Sequence, residues 1–276
     1  MTRKNDLVIN FAGKIAEDTE TQLKYLKEAA LLKNADACFT LGQVFAKAKP
    51  EESYTFMKEA ADLHNPNAMA LLGSLLSMPT TEGTLQKKLG VDQDKEKSKE
   101  LIELASMLDS PLANLIMGEN YFYGKNGYTK DMQRAYKHYA KAAALGDPKS
   151  TLALAYMTIE GLGNDQPQVL GLRYCLQLIE AKIPHAVILM AYAHYKGYGV
   201  EADAKKAAEI LQEAATFNLP IAYVYLAYIT AKGGKGLEPN VSKAETYLNM
   251  AKLDLKDKAQ QLYDMMIKEG DWTMTP

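Results

Sequence analysis

Residues 184–215 read PHAVILMAYAHYKGYGVEADAKKAAEILQEAA. Pro184 suits the first turn of a helix, where its missing N–H would have had no partner. Small Ala186, the pair Met190-Ala191 and Gly197 follow at helical spacing, and a glycine there can take the left-handed conformation that ends a helix. Gly199-Val200 then forms a short loop. Asp203 is placed to cap a second helix, and Lys206-Ala207 and Ala214-Ala215 lie along it. The stretch therefore reads as a helix, a tight turn and a second helix.

The same marks recur along the chain. Counterparts of Met190-Ala191 are Leu41-Gly42, Leu72-Gly73, Met117-Gly118, Leu154-Ala155 and Leu226-Ala227, and the successive spacings are 31, 45, 37, 36 and 36 residues. Proline stands six residues before the anchor at Pro66, Pro111, Pro148, Pro184 and Pro220. Small pairs such as Ala29-Ala30, Ala60-Ala61 and Ala142-Ala143 keep step. A fixed period of this kind marks a stacked array, because one helix pair cannot bury its apolar stripe alone.

The marks resemble those of the Sel1-like repeat family, relatives of the tetratricopeptide repeats. The resemblance rests on Ala186-x3-Met190-Ala191-x3-Tyr195-Lys196-Gly197-Tyr198-Gly199-Val200-x2-Asp203-x2-Lys206-Ala207-x6-Ala214-Ala215 and covers about residues 22–256. It implies an all-α, right-handed α-solenoid of antiparallel helix pairs that mediates protein assembly. The expected organisation is an N-terminal helical cap over 1–34, with Leu7 to Glu17 as the partner of a helix from Thr21 to Asn34. Six repeats follow over 35–65, 66–110, 111–146, 147–183, 184–219 and 220–256, then a C-terminal capping helix and tail over 257–276. Some members of the family are exported proteins with a disulfide in each repeat. This chain has two cysteines, Cys38 and Cys175, in different repeats, so no bridge is expected. Repeat four departs from the pattern, with Pro167 in place of the capping residue and Gly171 in place of alanine. An insertion from Met78 to Gly90 reads as an irregular loop leaving the array.

Composition narrows the function. Net charge is -2, with 14 basic and 17 acidic residues in 1–110 against 18 and 17 afterwards. No basic stripe marks a nucleic-acid surface. No apolar run approaches the roughly 18 residues of a membrane span. No leader is read at the start, which points to the cytoplasm, or to the periplasm or secretion for a trimmed mature chain. The histidines, His64, His138, His185 and His194, fall at different registers, and no nucleophile–base constellation can be placed. The glycines of 161–163 and 233–236 recur with the repeat and read as turns. No cofactor, metal or catalysis is expected.

One pattern exceeds packing needs. By analogy with tetratricopeptide domains, the first helix of each pair lines the concave face through positions −2, +2, +5 and +6 from the anchor. In repeats three to six, position −2 is Leu115, Leu152, Ile188 and Val224. Position +2 is Glu119, Tyr156, Tyr192 and Tyr228. Phe122, Ile159, Tyr195 and Ala231 hold +5, and Tyr123, Glu160, Lys196 and Lys232 hold +6. Fifteen of the 17 tyrosines follow residue 120. Tyrosine combines apolar area, a polar tip and few rotamers. The row reads either as an open groove for a peptide or partner protein, or as aromatic packing sealed within the array. The functional expectation is a non-catalytic scaffold or adaptor. An immunity-type protein gripping a folded enzyme, a hydrolase of cell-wall-like or β-lactam substrates, and a plain spacer stay open, as does the oligomeric state.

Overall fold

The structure, a computed structural model, describes residues 19–216, 219–270 and 272. It is all-α, and the fold is a solenoid of stacked helix pairs. Among the described residues the only bridge-type pairing outside helices joins Gly234 and Leu237. The chain divides into two compact units, residues 1–147 and 148–276. The partner helix expected over Leu7 to Glu17 lies outside the described residues.

In the first unit, α1 (Thr19–Leu31) packs on α2 (Ala35–Phe45), which pairs with α3 (Pro50–Asp62). Next, α4 (Pro66–Ser77) pairs with α6 (Lys95–Met107) across the short α5 (Leu85–Leu89), and α7 (Pro111–Tyr123) pairs with α8 (Met132–Ala144). In the second unit, α9 (Pro148–Glu160) pairs with α10 (Gln168–Glu180), α11 (His185–Lys196) with α12 (Ala204–Thr216), and α13 (Ile221–Lys232) with α14 (Val241–Leu255). There α15 (Asp257–Glu269) packs on both α13 and α14. The first helix of a pair is called helix A below, and the second helix B.

Each boundary has a chemical cause. Asn65 and Ser110 accept from the amides of Ala68 and Ala113, which caps α4 and α7 ahead of their prolines. Asp94, Asp131, Asp203 and Asn240 cap four B helices by accepting from the amide three residues on, at 2.8–2.9 Å. The amide of each of these capping residues donates in turn to a helix A carbonyl, Leu76, Tyr121, His194 or Thr230. Those carbonyls all sit four residues past the anchor, so one residue both starts helix B and ties it back to helix A. Repeat four lacks the carboxylate. There Pro167 makes no side-chain cap, and Gln168 supplies only the tie to helix A, donating to the Ile159 carbonyl at 2.8 Å while accepting from the Gly199 amide at 3.1 Å.

The anchors set how closely the two helices of a pair approach. A Cβ on Gly118 would meet the ring of buried Tyr139 at 2.6 Å, and one on Gly73 would meet Ile102 at 2.7 Å. Where the facing B-helix residue is serine, its hydroxyl uses the same gap. Ser53 donates to the Gly42 carbonyl and Ser98 to that of Gly73, each at 2.6 Å. In repeat four the glycine lies on helix B instead. A Cβ on Gly171 would meet Ile159 Cγ1 at 2.6 Å and the Ala155 carbonyl oxygen at 2.8 Å.

The insertion corrects the reading of residues 78–90 as wholly irregular. Residues 78–84 are loop and turn, but Thr84 caps α5, and Gly90 ends it in the left-handed region at φ 64°. Gln86 is buried and fixed to the Leu75 carbonyl at 3.4 Å, so α5 lies against the body of its unit. Cys38 and Cys175 are free thiols, both buried, and burial pushes them up to about 11 and about 12.

Candidate functional site

In the first unit, the four residues singled out on α7 do not behave alike. Leu115 and Phe122 are buried, Tyr123 is half-buried and Glu119 is exposed. Phe122 meets Tyr123 edge-on, with centroids 4.9 Å apart. The Lys125 ammonium lies 4.2 Å from the Tyr123 ring centroid. Burial, with the nearby Glu119 carboxylate, raises the Tyr123 phenol above its ordinary range.

The second unit holds the tyrosine row, and the structure alters its reading. Tyr156 is half-buried, but Tyr192 and Tyr228 are only 4% and 2% exposed. They are therefore not rungs of an open groove. Position +5 splits as well. Ile159 is fully enclosed because it drops into the gap left by Gly171, whereas Tyr195 stays half-buried. Ile188 and Val224 at −2 are core, and Leu152 is half-buried. Among the −2, +2, +5 and +6 positions of this unit, solvent reaches Leu152, Tyr156, Glu160, Tyr195, Lys196, Ala231 and Lys232.

Tyr192 is enclosed by side chains from several elements. Its hydroxyl donates to the Glu160 carboxylate at the end of α9. Tyr198, in the loop after α11, meets its ring edge-on at 5.8 Å. Lys196, one turn along the helix, puts its ammonium 5.9 Å from the ring centroid, and Lys232 stands 6.0 Å from Tyr228 in the same way. The +6 lysines thus lie against the +2 tyrosines of their own helices.

The last wall is a residue the sequence reading did not single out. Trp272, beyond the capping helix, is 4% exposed. Its indole stacks on Tyr225 of α13, with centroids 4.8 Å apart and 20° between planes. It meets Tyr192 edge-on at 5.5 Å and Tyr195 at 5.9 Å. Burial pushes the Tyr225 phenol up to about 12. One signal was present in the sequence: Trp272 is the sole tryptophan, set in a short segment beyond the last periodic helix. Tyr225, one residue before its anchor, fell outside the registers taken as concave.

A second surface of this unit carries apolar side chains. An open cleft of about 780 Å³ is lined by Leu176, Val187, Met190, Ile210 and Leu219, with Lys182 and Glu213 beside them. Among the described residues, no group of three or more His, Cys, Asp or Glu could hold a metal ion. No helix among them is long and apolar enough to cross a membrane.

Comparison with known proteins bears on both units. The family model for the Sel1 repeat matches residues 66–110, 111–147, 184–216 and 220–253, more than half of the chain. No curated protein sequence matches. Among solved structures, the chain is similar to c5321, described as a protective antigen present in uropathogenic Escherichia coli strains displaying an SLR fold. That match has TM-score 0.61 and 21% identity, and covers 97% of this chain but 56% of the other, so this chain spans little more than half of that protein. It is also similar to a Sel1 repeat protein from Oxalobacter formigenes, with TM-score 0.63 and 23% identity over 92% of this chain and 99% of that one. At these identities the likeness is one of fold.

Proposed function

Because the chain belongs to the Sel1 repeat family, we propose that it is a non-catalytic protein-interaction scaffold whose A-helix face in the second unit receives an extended segment of a partner protein. One observation carries this reading. Tyr156 and Tyr195 are half-buried at helix A registers of this unit, as are Leu152, Glu160 and Lys196. Aromatic area ringed by polar and charged groups is the usual composition of a recognition surface, with the aromatic side chains as anchors. Family membership supports a protein partner. The two-sided charge, Glu160 and Lys196, suits a peptide backbone with mixed side chains rather than a polyanion.

The test is a quantitative capture of partners from native lysate by the wild-type chain, Tyr156→Ala, Lys196→Glu and Leu176→Ser, the last in the cleft on the other surface. A partner lost with the first two variants and kept with the third supports the assignment. Retention by Tyr156→Ala and Lys196→Glu, with loss in Leu176→Ser, moves the interface to the cleft.

A further inference from the structure

We propose that the open cleft of the second unit is a two-fold interface for a second copy of this chain, in which Leu176 of each copy enters the cleft of the other. The cleft lies apart from the A-helix registers discussed above, so the proposal stands whether or not that face takes a partner.

The cleft is built by two successive B helices and the A helix on which both pack. Leu176 and Ile179 come from α10, Val187 and Met190 from α11, and Ile210 from α12, with Leu219 beyond its end. Leu176 is 53% exposed, and the other five are only half-buried. Part of this surface is peculiar to repeat four. The position of Ile179 is alanine in four other repeats, at Ala30, Ala61, Ala143 and Ala215. Two of those alanines are close-packed in their helix pairs, whereas Ile179 adds apolar area to an opening of about 780 Å³. Apolar side chains gathered in one open cleft mark an interaction site more often than scattered ones do.

Charge identifies the occupant. Lys182, just past α10, and Glu213, on α12, line the same cleft. Neither enters an ion pair among the described residues. Whatever covers the apolar side chains must therefore answer one charge of each sign, or leave it desolvated and unpaired at a cost. A second copy answers both. Across a two-fold axis, if residue i meets residue j of the other copy, then j also meets i. Lys182 of one copy then faces the partner's Glu213, and the same pair forms again on the other side of the axis. Leu176, the most exposed of the apolar side chains, supplies the knob, and Val187 and Met190 supply the floor that receives it. A net charge of -2 on each chain gives two copies little mutual repulsion.

Sedimentation of the full-length chain over a concentration series tests this arrangement, with Leu176→Ser, Lys182→Glu and Glu213→Lys as variants. The wild-type chain should be a closed dimer. Each variant should dimerise at least about tenfold more weakly, since the two-fold axis makes every substitution count twice. The two charge variants give a sharper readout when combined. Alone, each places like charges opposite one another at both pairs. Mixed in equal amounts, they restore both pairs and should form a heterodimer of wild-type affinity. A wild-type chain that stays monomeric at sub-millimolar concentration overturns the proposal and leaves the cleft to a different protein. Species larger than a dimer, a dimer indifferent to the variants, or charge variants that mixing fails to rescue overturn it equally. Circular dichroism checks that the variants are folded. Should they unfold, a carbodiimide crosslink in wild-type protein decides, using mixed isotope-labelled and unlabelled chains. Lys182 of one copy must join the partner's Glu213, and a dimer without that crosslink overturns the proposal.

Discussion

The indole of Trp272 lies nearly parallel to the phenol ring of Tyr225, with centroids 4.8 Å apart. A residue from beyond the last helix thereby becomes part of the packing of α13, and through its edge contact with Tyr192 it also closes over α11. This relationship turns Tyr192 from a candidate contact residue into a structural one.

Tyr192 should therefore matter for stability. Its ring is buried among Tyr198 and Trp272, and its hydroxyl bonds to the Glu160 carboxylate. Tyr192→Ala should lower unfolding free energy by about 3–5 kcal/mol, the usual range for emptying a buried aromatic site. Tyr192→Phe, which loses only the hydroxyl, should cost about 1–3 kcal/mol. Urea unfolding followed by circular dichroism measures both. An alanine variant within 1 kcal/mol of wild type would show the ring to be dispensable.

Gly171 of repeat four leaves no room for a side chain. Alanine there would place its Cβ 2.8 Å from the Ala155 carbonyl oxygen, a backbone atom that cannot turn aside. Gly171→Ala should destabilise by about 1–3 kcal/mol despite its better helix propensity. Leu154→Ala at the neighbouring anchor should cost about 2–5 kcal/mol by cavity formation. A Gly171→Ala chain more stable than wild type would mean that α9 and α10 separate readily.

His138 predicts a pH dependence. Its Nδ1 lies 3.0 Å from Asn114 Oδ1, and its ring stacks on Tyr121 at 5.6 Å. The Asn114 amide nitrogen is committed to the Ser110 carbonyl, so its Oδ1 accepts and His138 Nδ1 donates as the neutral tautomer. Burial lowers the His138 pKa below 6.5, and the cationic Lys141 and Arg134 lower it further. The unfolded chain then binds the proton more readily than the folded one. This contribution is complete above pH about 6.5 and is lost as the pH falls toward the depressed folded value. His138→Gln keeps a donor toward Asn114 and removes the titration. Thermal melts at pH 7.5 and 5.5 should show a smaller drop for this variant than for wild type, and equal drops would contradict the assignment.

Much of the fold was legible because its causes are local. Pro66 and Pro111 begin helices, Asp131 and Asp203 cap them, and Gly124 and Gly197 end them, each through a contact within a few residues. The surface was less legible because burial is decided by distant partners. Tyr156 and Tyr192 share one register, yet only Tyr192 is enclosed, by Trp272 some 80 residues further on. Ile159 is lost to the surface because Gly171, an apparent defect in the repeat, leaves a gap that its side chain fills. Repeat periodicity places a side chain on a face and says nothing of what covers it.

The central claim is that the A-helix face of the second unit is the partner surface, and Tyr156 tests it best, being half-buried and outside the Trp272 contacts. Calorimetric titration of the captured, purified partner should give a Kd for Tyr156→Ala roughly thirtyfold weaker than for wild type, equivalent to about 2 kcal/mol, with an unchanged melting temperature. An unchanged Kd for a folded Tyr156→Ala chain, together with a weakened one for Leu176→Ser, would contradict the account.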